Sequence, residues 1–241
     1  MILLDSKQYE VREINKIGKG VFAKVDLPPS KVIGDYVGKI LSDEDEDDLP
    51  SLHGIERNKK ETIWPLDITA IGLHLLNHSC TSNCTFMPYE GRMLGITKRK
   101  IFADEELTVE YFVEQGSLLD PEDPHTCMCK SVFCRGTLST STDYFQMFCD
   151  LYEKTDMQSK IVELGEILPP LLVYPGFLPV PEFFNIFGNF EAVPVEMSNL
   201  KDLSISDLRQ LIKESGTSIY FSDSGIKVLG VFFNRSLLCS K

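Results

Sequence analysis

The sequence predicts a mainly β first half of small sheets, followed by an α+β region. Three observations carry that reading. Short runs of alternating apolar and polar residues recur across residues 8–41 and 92–112. Turn-forming Gly, Pro and Asp break them every few positions. A composition shift at "LSTSTDY", residues 138–144, is followed by helical patterns that the earlier part lacks.

"YEVREI", residues 9–14, alternates as a strand. "GKG" at 18–20 reads as a break, after which "VFAKVDL" resumes. "PPS" is a turn, and "KVIGDYVGKIL", residues 31–41, predicts a strand pair. Residues 42–48, "SDEDEDD", form an acidic run, either a solvated loop or an attractor for a basic peptide. Residues 49–68 give no clear pattern. "ITAIGLHLL", residues 68–76, reads as a short helix or a buried turn. "RMLGITKRKI" (92–101) and "ELTVEYF" (106–112) predict strands around a turn at "FADEE". In the second of these, Leu107, Val109 and Tyr111 share one face by the two-residue repeat. Residues 116–126 read as loop. Phe145–Glu153 and Gln158–Ile167 have helical patterns, and "SISDLRQLIKESG" carries a serine cap, helical spacing and a stopping glycine. "TSIYFSDSGIKVLGVFF" predicts a hairpin around "SDSG".

The chain has 241 residues, 43% apolar and 25% charged, enough for a real core. Its formal net charge of −12 argues against direct nucleic-acid binding, which needs a basic face, and suits a basic partner. The first residues meet charge too early for a secretory signal, so the expected location is intracellular, nuclear or cytoplasmic. The most apolar later stretch, "ILPPLLVYPGFLPVPEFF", is interrupted by five prolines and a glycine, so it is not a membrane-spanning helix. Seven cysteines, unevenly spaced, suit reduced thiols or metal ligands better than disulfides.

Two stretches carry the chemistry. In "LLNHSCTSNC", residues 75–84, an apolar pair runs straight into two amides, an imidazole and two thiols. Polar groups at the edge of a core are costly unless something binds them. In "CMCKSVFC", Cys127, Cys129 and Cys134 are spaced C-x-C-x4-C. Three thiols so close suit a tetrahedral zinc ion, with a fourth ligand to come from Cys80, Cys84, His125 or Cys149. The bland alternative is a loop of ordinary thiols, although such a loop is prone to oxidation.

Taken in order, "GKGVFA", "NHSCTSN", "DEELTVEY" and "CMCKSVFCRG" resemble a SET-domain protein-lysine methyltransferase with a post-SET zinc segment. The resemblance covers residues 8–138. It implies a SET domain over 1–115 and a zinc segment over 116–138; residues 139–241 have no match in it and read from their own patterns as a C-terminal α+β region of unassigned role. It implies a fold of small curved sheets with knot-like threading, in which the "NHSC" and "ELTVEY" segments meet. The implied cofactors are S-adenosylmethionine and a structural zinc ion. Lys19, Gly20, Val21, Phe22, Asn77, His78 and Tyr111 are the implied cofactor-binding residues, and Tyr111 is also the implied catalytic residue. Cys80 becomes the implied fourth zinc ligand beside Cys127, Cys129 and Cys134, and Asn83 fixes the local turn. Gly18-Lys19-Gly20 on its own fits a hairpin turn equally well, and Tyr36 fits a structural strand aromatic.

Tyr36, Phe86 and Val109 are the implied substrate-channel residues. Neither Phe86 nor Val109 carries a hydroxyl to hold a space-filling water, which favours more than one methylation. The implied substrate is a basic protein or peptide, a histone tail among the candidates. Its lysine must be neutral to react, and an apolar channel favours that form. Ser82, Glu110 and His74 depart from the family's usual proline, aspartate and arginine. A homodimer through the C-terminal region is a candidate partnership, and the competing readings are a catalytically silent SET-like binding module and a zinc-stabilised interaction protein whose function lies in the C-terminal hundred residues.

Overall fold

The computed structural model describes residues 1–14, 18–42, 53–58, 61–80, 82–111, 113–114, 126–129, 134, 136–140, 164–180, 219–221, 225–228 and 231–234. The acidic run from residue 43 onward and the expected helices at 145–153 and 204–216 lie outside them. So does most of the expected helix at 158–167. Its described end, residues 164–167, is a turn and a β-bridge, with Gly165 at φ 86°.

The described residues form small sheets. β1 (Tyr9–Ile14) pairs antiparallel with β2 (Gly18–Ala23). β3 (Val32–Asp35) and β4 (Gly38–Ser42) are both strands, as expected, but they do not pair with each other. β3 joins β9 (Arg92–Thr97) and β8 (Cys84–Tyr89). β4 joins β6 (Glu61–Pro65) and β5 (Ile55–Asn58). Only two residues, Tyr36 and Val37, separate β3 from β4, so the chain changes sheets there instead of folding back. A second difference lies at "GKG", which belongs to β2 and pairs with the end of β1, Gly18 opposite Ile14. The register continues through the glycines, which are strand positions.

β8 and β9 form a hairpin whose two loop residues, Glu90 and Gly91, have φ of 47° and 76°. Two successive positive φ values are the mark of the tight turn whose twist suits a hairpin, and Gly91 takes the second without strain. Pro88 lies on β8, an edge strand of its sheet, where a missing N–H is tolerated.

The expected helix or turn near residue 70 is a single 3-10 turn, Leu73–Leu75. Leu73 is 1% exposed and covers Gly34 and Gly95 on neighbouring strands of the β3–β9–β8 sheet. A Cβ on Gly34 would stand 2.6 Å from Leu73 Cδ2, so only glycine lets the turn sit this close. That contact presses the residues leading into "NHSC" onto the core. Leu76, also 1% exposed, completes the anchor.

Residues 164–180 form an extended strap along the same body. Gly165 N–H donates to the Ile40 carbonyl at 2.8 Å, and Ile40 N–H to the Glu166 carbonyl at 2.9 Å. Val32 N–H donates to the Gly176 carbonyl at 3.1 Å, and Leu178 N–H to the Ser30 carbonyl at 2.9 Å. The prolines that exclude a helix here favour this extended path. Underneath lies a buried polar knot. Asp35 Oδ2 accepts from Arg92 Nη1 and from the Tyr174 hydroxyl, both at 2.7 Å, while Arg92 Nη2 donates to the Pro169 carbonyl at 2.6 Å. Farther along, β13 (Ile219–Phe221), β14 (Gly225–Val228) and β15 (Val231–Asn234) form an antiparallel meander. It contains the expected hairpin around "SDSG" and adds a third strand.

The knot makes a stability prediction. Arg92→Met leaves the Asp35 carboxylate buried without its cation, at a cost of about 3–5 kcal/mol. Tyr174→Phe removes one hydrogen bond at the strap and costs about 1 kcal/mol. Urea unfolding of the two variants gives both values.

Candidate active site and thiol cluster

The "NHSC" and "ELTVEY" segments meet as two short parallel strands. β7 (Asn77–His78) pairs with β10 (Thr108–Val109), Asn77 opposite Thr108 and His78 opposite Val109. Asn83 ties the two segments together. Its Nδ2 donates to the Glu106 carbonyl at 2.7 Å, and its Oδ1 accepts the Thr108 N–H at 2.9 Å. The side chain is 2% exposed, so the amide substitutes for a missing strand neighbour. Asn83 therefore fixes more than its own turn.

β2 runs beside the second segment. Leu107 N–H donates to the Val21 carbonyl at 2.7 Å, and Phe22 bridges Glu106. The side chains of Val21 and Phe22 are buried, at 0% and 4% exposed, and Lys19 is exposed. Gly20 stands at the junction. A Cβ there would lie 2.6 Å from Glu106 Oε1 and 3.0 Å from Asn77 Nδ2. Asn77 Nδ2 donates to the Lys19 carbonyl at 3.0 Å and to Glu106 Oε1 at 2.7 Å. Both amide hydrogens are thus engaged, and Oδ1 remains as an acceptor. Glu106 was part of a motif in the sequence, but nothing in the alternation marks it as the partner of Asn77.

Tyr111 stands just past β10. Its hydroxyl donates to the Leu76 carbonyl at 3.2 Å, and its ring meets the His78 ring edge-on with centroids 5.4 Å apart. Burial pushes the Tyr111 phenol up to about 12, and the Glu106 carboxylate adds to the shift. At neutral pH it is a hydrogen-bonding phenol and not a base. Tyr36 is raised further, by burial first and then by Tyr111. Its hydroxyl donates to the His53 carbonyl, and its ring packs at 87° against Phe86 with centroids 5.5 Å apart. Val109 is 1% exposed and packed in the core with Tyr36, with Phe86 and Tyr111 at its edge.

The three departures have local partners. Ser82 Oγ accepts from Lys98 Nζ at 2.7 Å. Glu110 Oε1 lies 3.4 Å from His78 Nδ1. His74 Nε2 lies 3.2 Å from the Ile68 carbonyl oxygen.

Cys80, Cys127, Cys129 and Cys134 converge, their sulfurs all within 4.8 Å of one another. Cys80 Sγ and Cys127 Sγ are 3.7 Å apart. A zinc–thiolate tetrahedron with bonds of about 2.3 Å has sulfur–sulfur edges of about 3.8 Å, so the donor set fits such an ion in number, type and spacing. The loop is clipped shut locally. Cys127 N–H donates to the Gly136 carbonyl at 3.1 Å, Thr126 bridges Thr137, and Gly136 takes φ 78°. At its base β11 (Val113–Glu114) pairs in parallel with β12 (Ser139–Thr140). Of the other ligand candidates, Cys84 is fully buried in the core with its thiol pushed up to about 12 by burial. His125 and Cys149 lie outside the described residues.

Residues 18–112 match the SET domain family. It is similar to a histone-lysine N-methyltransferase of Gibberella zeae, H3 lysine-36 specific, with 29% identity over 56% of this chain and 16% of that protein. It is also similar to the histone-lysine N-methyltransferase Set2 of Drosophila melanogaster, 27% identical over 53% of this chain and 6% of that protein. A third relative is a histone-lysine N-methyltransferase of Emericella nidulans, H3 lysine-4 specific, 32% identical over 50% of this chain and 11% of that protein. The chain thus spans well under a fifth of the length of each of these three relatives.

The thiol cluster predicts one zinc ion per chain in metal analysis of the purified protein. Cys80→Ser and Cys129→Ser should each lower zinc affinity by at least about tenfold in competition with a chromophoric chelator.

Proposed function

We propose that this chain is an S-adenosylmethionine-dependent protein-lysine N-methyltransferase acting on a basic protein, with a histone tail as the leading candidate. The observation that carries the reading is the convergence of Gly20, Asn77, Glu106 and Tyr111 where β7 meets β10, within the SET-matched residues. The similarity to histone-lysine methyltransferases supports the substrate class. Those relatives are specific for different lysines of H3, so the position modified is not carried over. A histone substrate places the protein in the nucleus, and the net charge of −12 favours a basic chain. Among the described residues no helix is long and apolar enough to cross a membrane.

S-adenosylmethionine supplies the methyl group and the sulfonium that activates it. Gly20 admits the Asn77 and Glu106 side chains against the β2 backbone, and Asn77, both of whose amide hydrogens are engaged, would hold the donor's amino-acid end through its remaining acceptor. Lys19, Val21, Phe22 and His78 would complete the donor site. Tyr111, held as a phenol, presents its hydroxyl beside the Leu76 carbonyl and so offers a fixed dipole pair to orient a reacting amine. Tyr36, Phe86 and Val109 give the approach its apolar lining, which disfavours the ammonium form of a lysine. The four thiols would hold a structural zinc ion and so tie Cys127, Cys129 and Cys134 to Cys80 of "NHSC".

A labelled methyl-transfer assay on histones and on cell lysate tests this directly. Wild type is expected to transfer label, and Tyr111→Phe to lose about a hundredfold by disordering the reacting amine. No transfer by wild type that nonetheless binds the donor would favour the silent binding module. On exhaustive reaction, peptide mass spectrometry is expected to find di- or trimethyl-lysine. Product confined to monomethyl-lysine would refute the argument from the missing hydroxyls at Phe86 and Val109.

A further inference from the structure

His78 lies between the thiol cluster and Tyr111, and its imidazole touches both. The ring is almost fully enclosed, 4% exposed at the side chain. Tyr111 N–H donates to Nδ1 at 3.3 Å, which requires a lone pair on that nitrogen. The ring proton then sits on Nε2, which lies 3.3 Å from Cys80 Sγ. Glu110 Oε1, 3.4 Å from Nδ1, favours the opposite arrangement, with the proton on Nδ1 and the Nε2 lone pair toward sulfur. These two tautomers compete, and the state of Cys80 decides between them. A thiol can donate to an Nε2 lone pair. A metal-bound thiolate cannot, and a lone pair aimed at it is repelled.

The geometry points to His78 as a positioning residue: its Nε2–H donates to the Cys80 thiolate of a metal-loaded cluster, and its Nδ1 thereby receives and fixes the Tyr111 N–H. This rests on the metal reading of the cluster but not on methyl transfer. An ion on the four sulfurs would then influence the Tyr111 backbone through one ring, in addition to closing its own loop. The group a proposed catalytic tyrosine depends on would be reached without any contact between metal and substrate. Hydrogen bonds to ligating groups orient them and tune the ion, which gives the effect a measurable size.

Three variants of the full chain separate the two ends of the ring. His78→Gln keeps an N–H where Nε2 was and loses the acceptor. His78→Asn keeps an acceptor where Nδ1 was and loses the donor to sulfur. His78→Leu loses both. Cobalt(II) reports the sulfur end through its thiolate charge-transfer absorption, zinc release to a chromophoric chelator reports affinity, and hydrogen exchange of the Tyr111 amide reports the other end. His78→Leu and His78→Asn are expected to shift the cobalt absorption and release zinc at least about tenfold faster, with His78→Gln close to wild type. The Tyr111 amide is expected to exchange at least about tenfold faster in His78→Gln and His78→Leu, with His78→Asn protected. Unchanged cobalt absorption and zinc release in all three would overturn the proposal. So would equal loss of both properties in Gln, Asn and Leu, which would make the ring mere filling. Failure of wild type to take up cobalt would overturn the metal reading of the cluster, and this inference with it.

Discussion

Asn83 holds two distant stretches of chain in register with one buried amide. Its bonds to the Glu106 carbonyl and the Thr108 N–H reinforce a parallel pairing, β7 with β10, that is only two residues long on each strand. Parallel pairs are slightly less stable per residue than antiparallel ones, and two residues alone would not persist. The amide supplies the missing ladder contacts from the side. Everything of chemical interest then follows from position. Asn77 reaches Glu106, Tyr111 reaches Leu76, and Cys80 is set down where the later cysteines can meet it.

Much of this was legible in the sequence, and the exceptions have physical reasons. β1 announced itself by alternation, and β9, buried along its whole length, by a strand-forming run bounded by turn residues. The Gly-Lys-Gly stretch misled because glycine signals a turn by default, whereas here it is a strand position where a side chain would collide with Asn77 and Glu106. β3 and β4 were legible as strands but not as members of separate sheets, since partner choice is set by long-range contacts. The β8–β9 hairpin carried its signal in Glu90-Gly91, a weaker form of the usual Asn-Gly pair.

For the site, local pattern reached only part of the way. Spacing alone proposed three thiols and several fourth ligands, and it was resemblance that singled out Cys80, the residue the fold brings beside the other three. The contact between "NHSC" and "ELTVEY" likewise came from resemblance, because nothing periodic links residues 77 and 108. The roles of Glu106, of the Leu76 carbonyl and of the His78 ring were not legible, since each depends on an atom-level meeting across the fold. The electrostatics of Tyr111 belong with these. Burying a phenol beside a carboxylate keeps its proton, and Tyr111 is so placed.

The strap of residues 164–180 has a practical corollary. It covers backbone at Ser30, Val32 and Ile40, groups that would otherwise be bare at the margins of two different sheets. Bare margins recruit other chains. A shortened version ending after the cysteine loop at residue 138 would contain every motif by which this domain is recognised and still expose those margins. Such a fragment is a candidate for insolubility on expression. A cloning boundary placed past residue 180 keeps the cover in place.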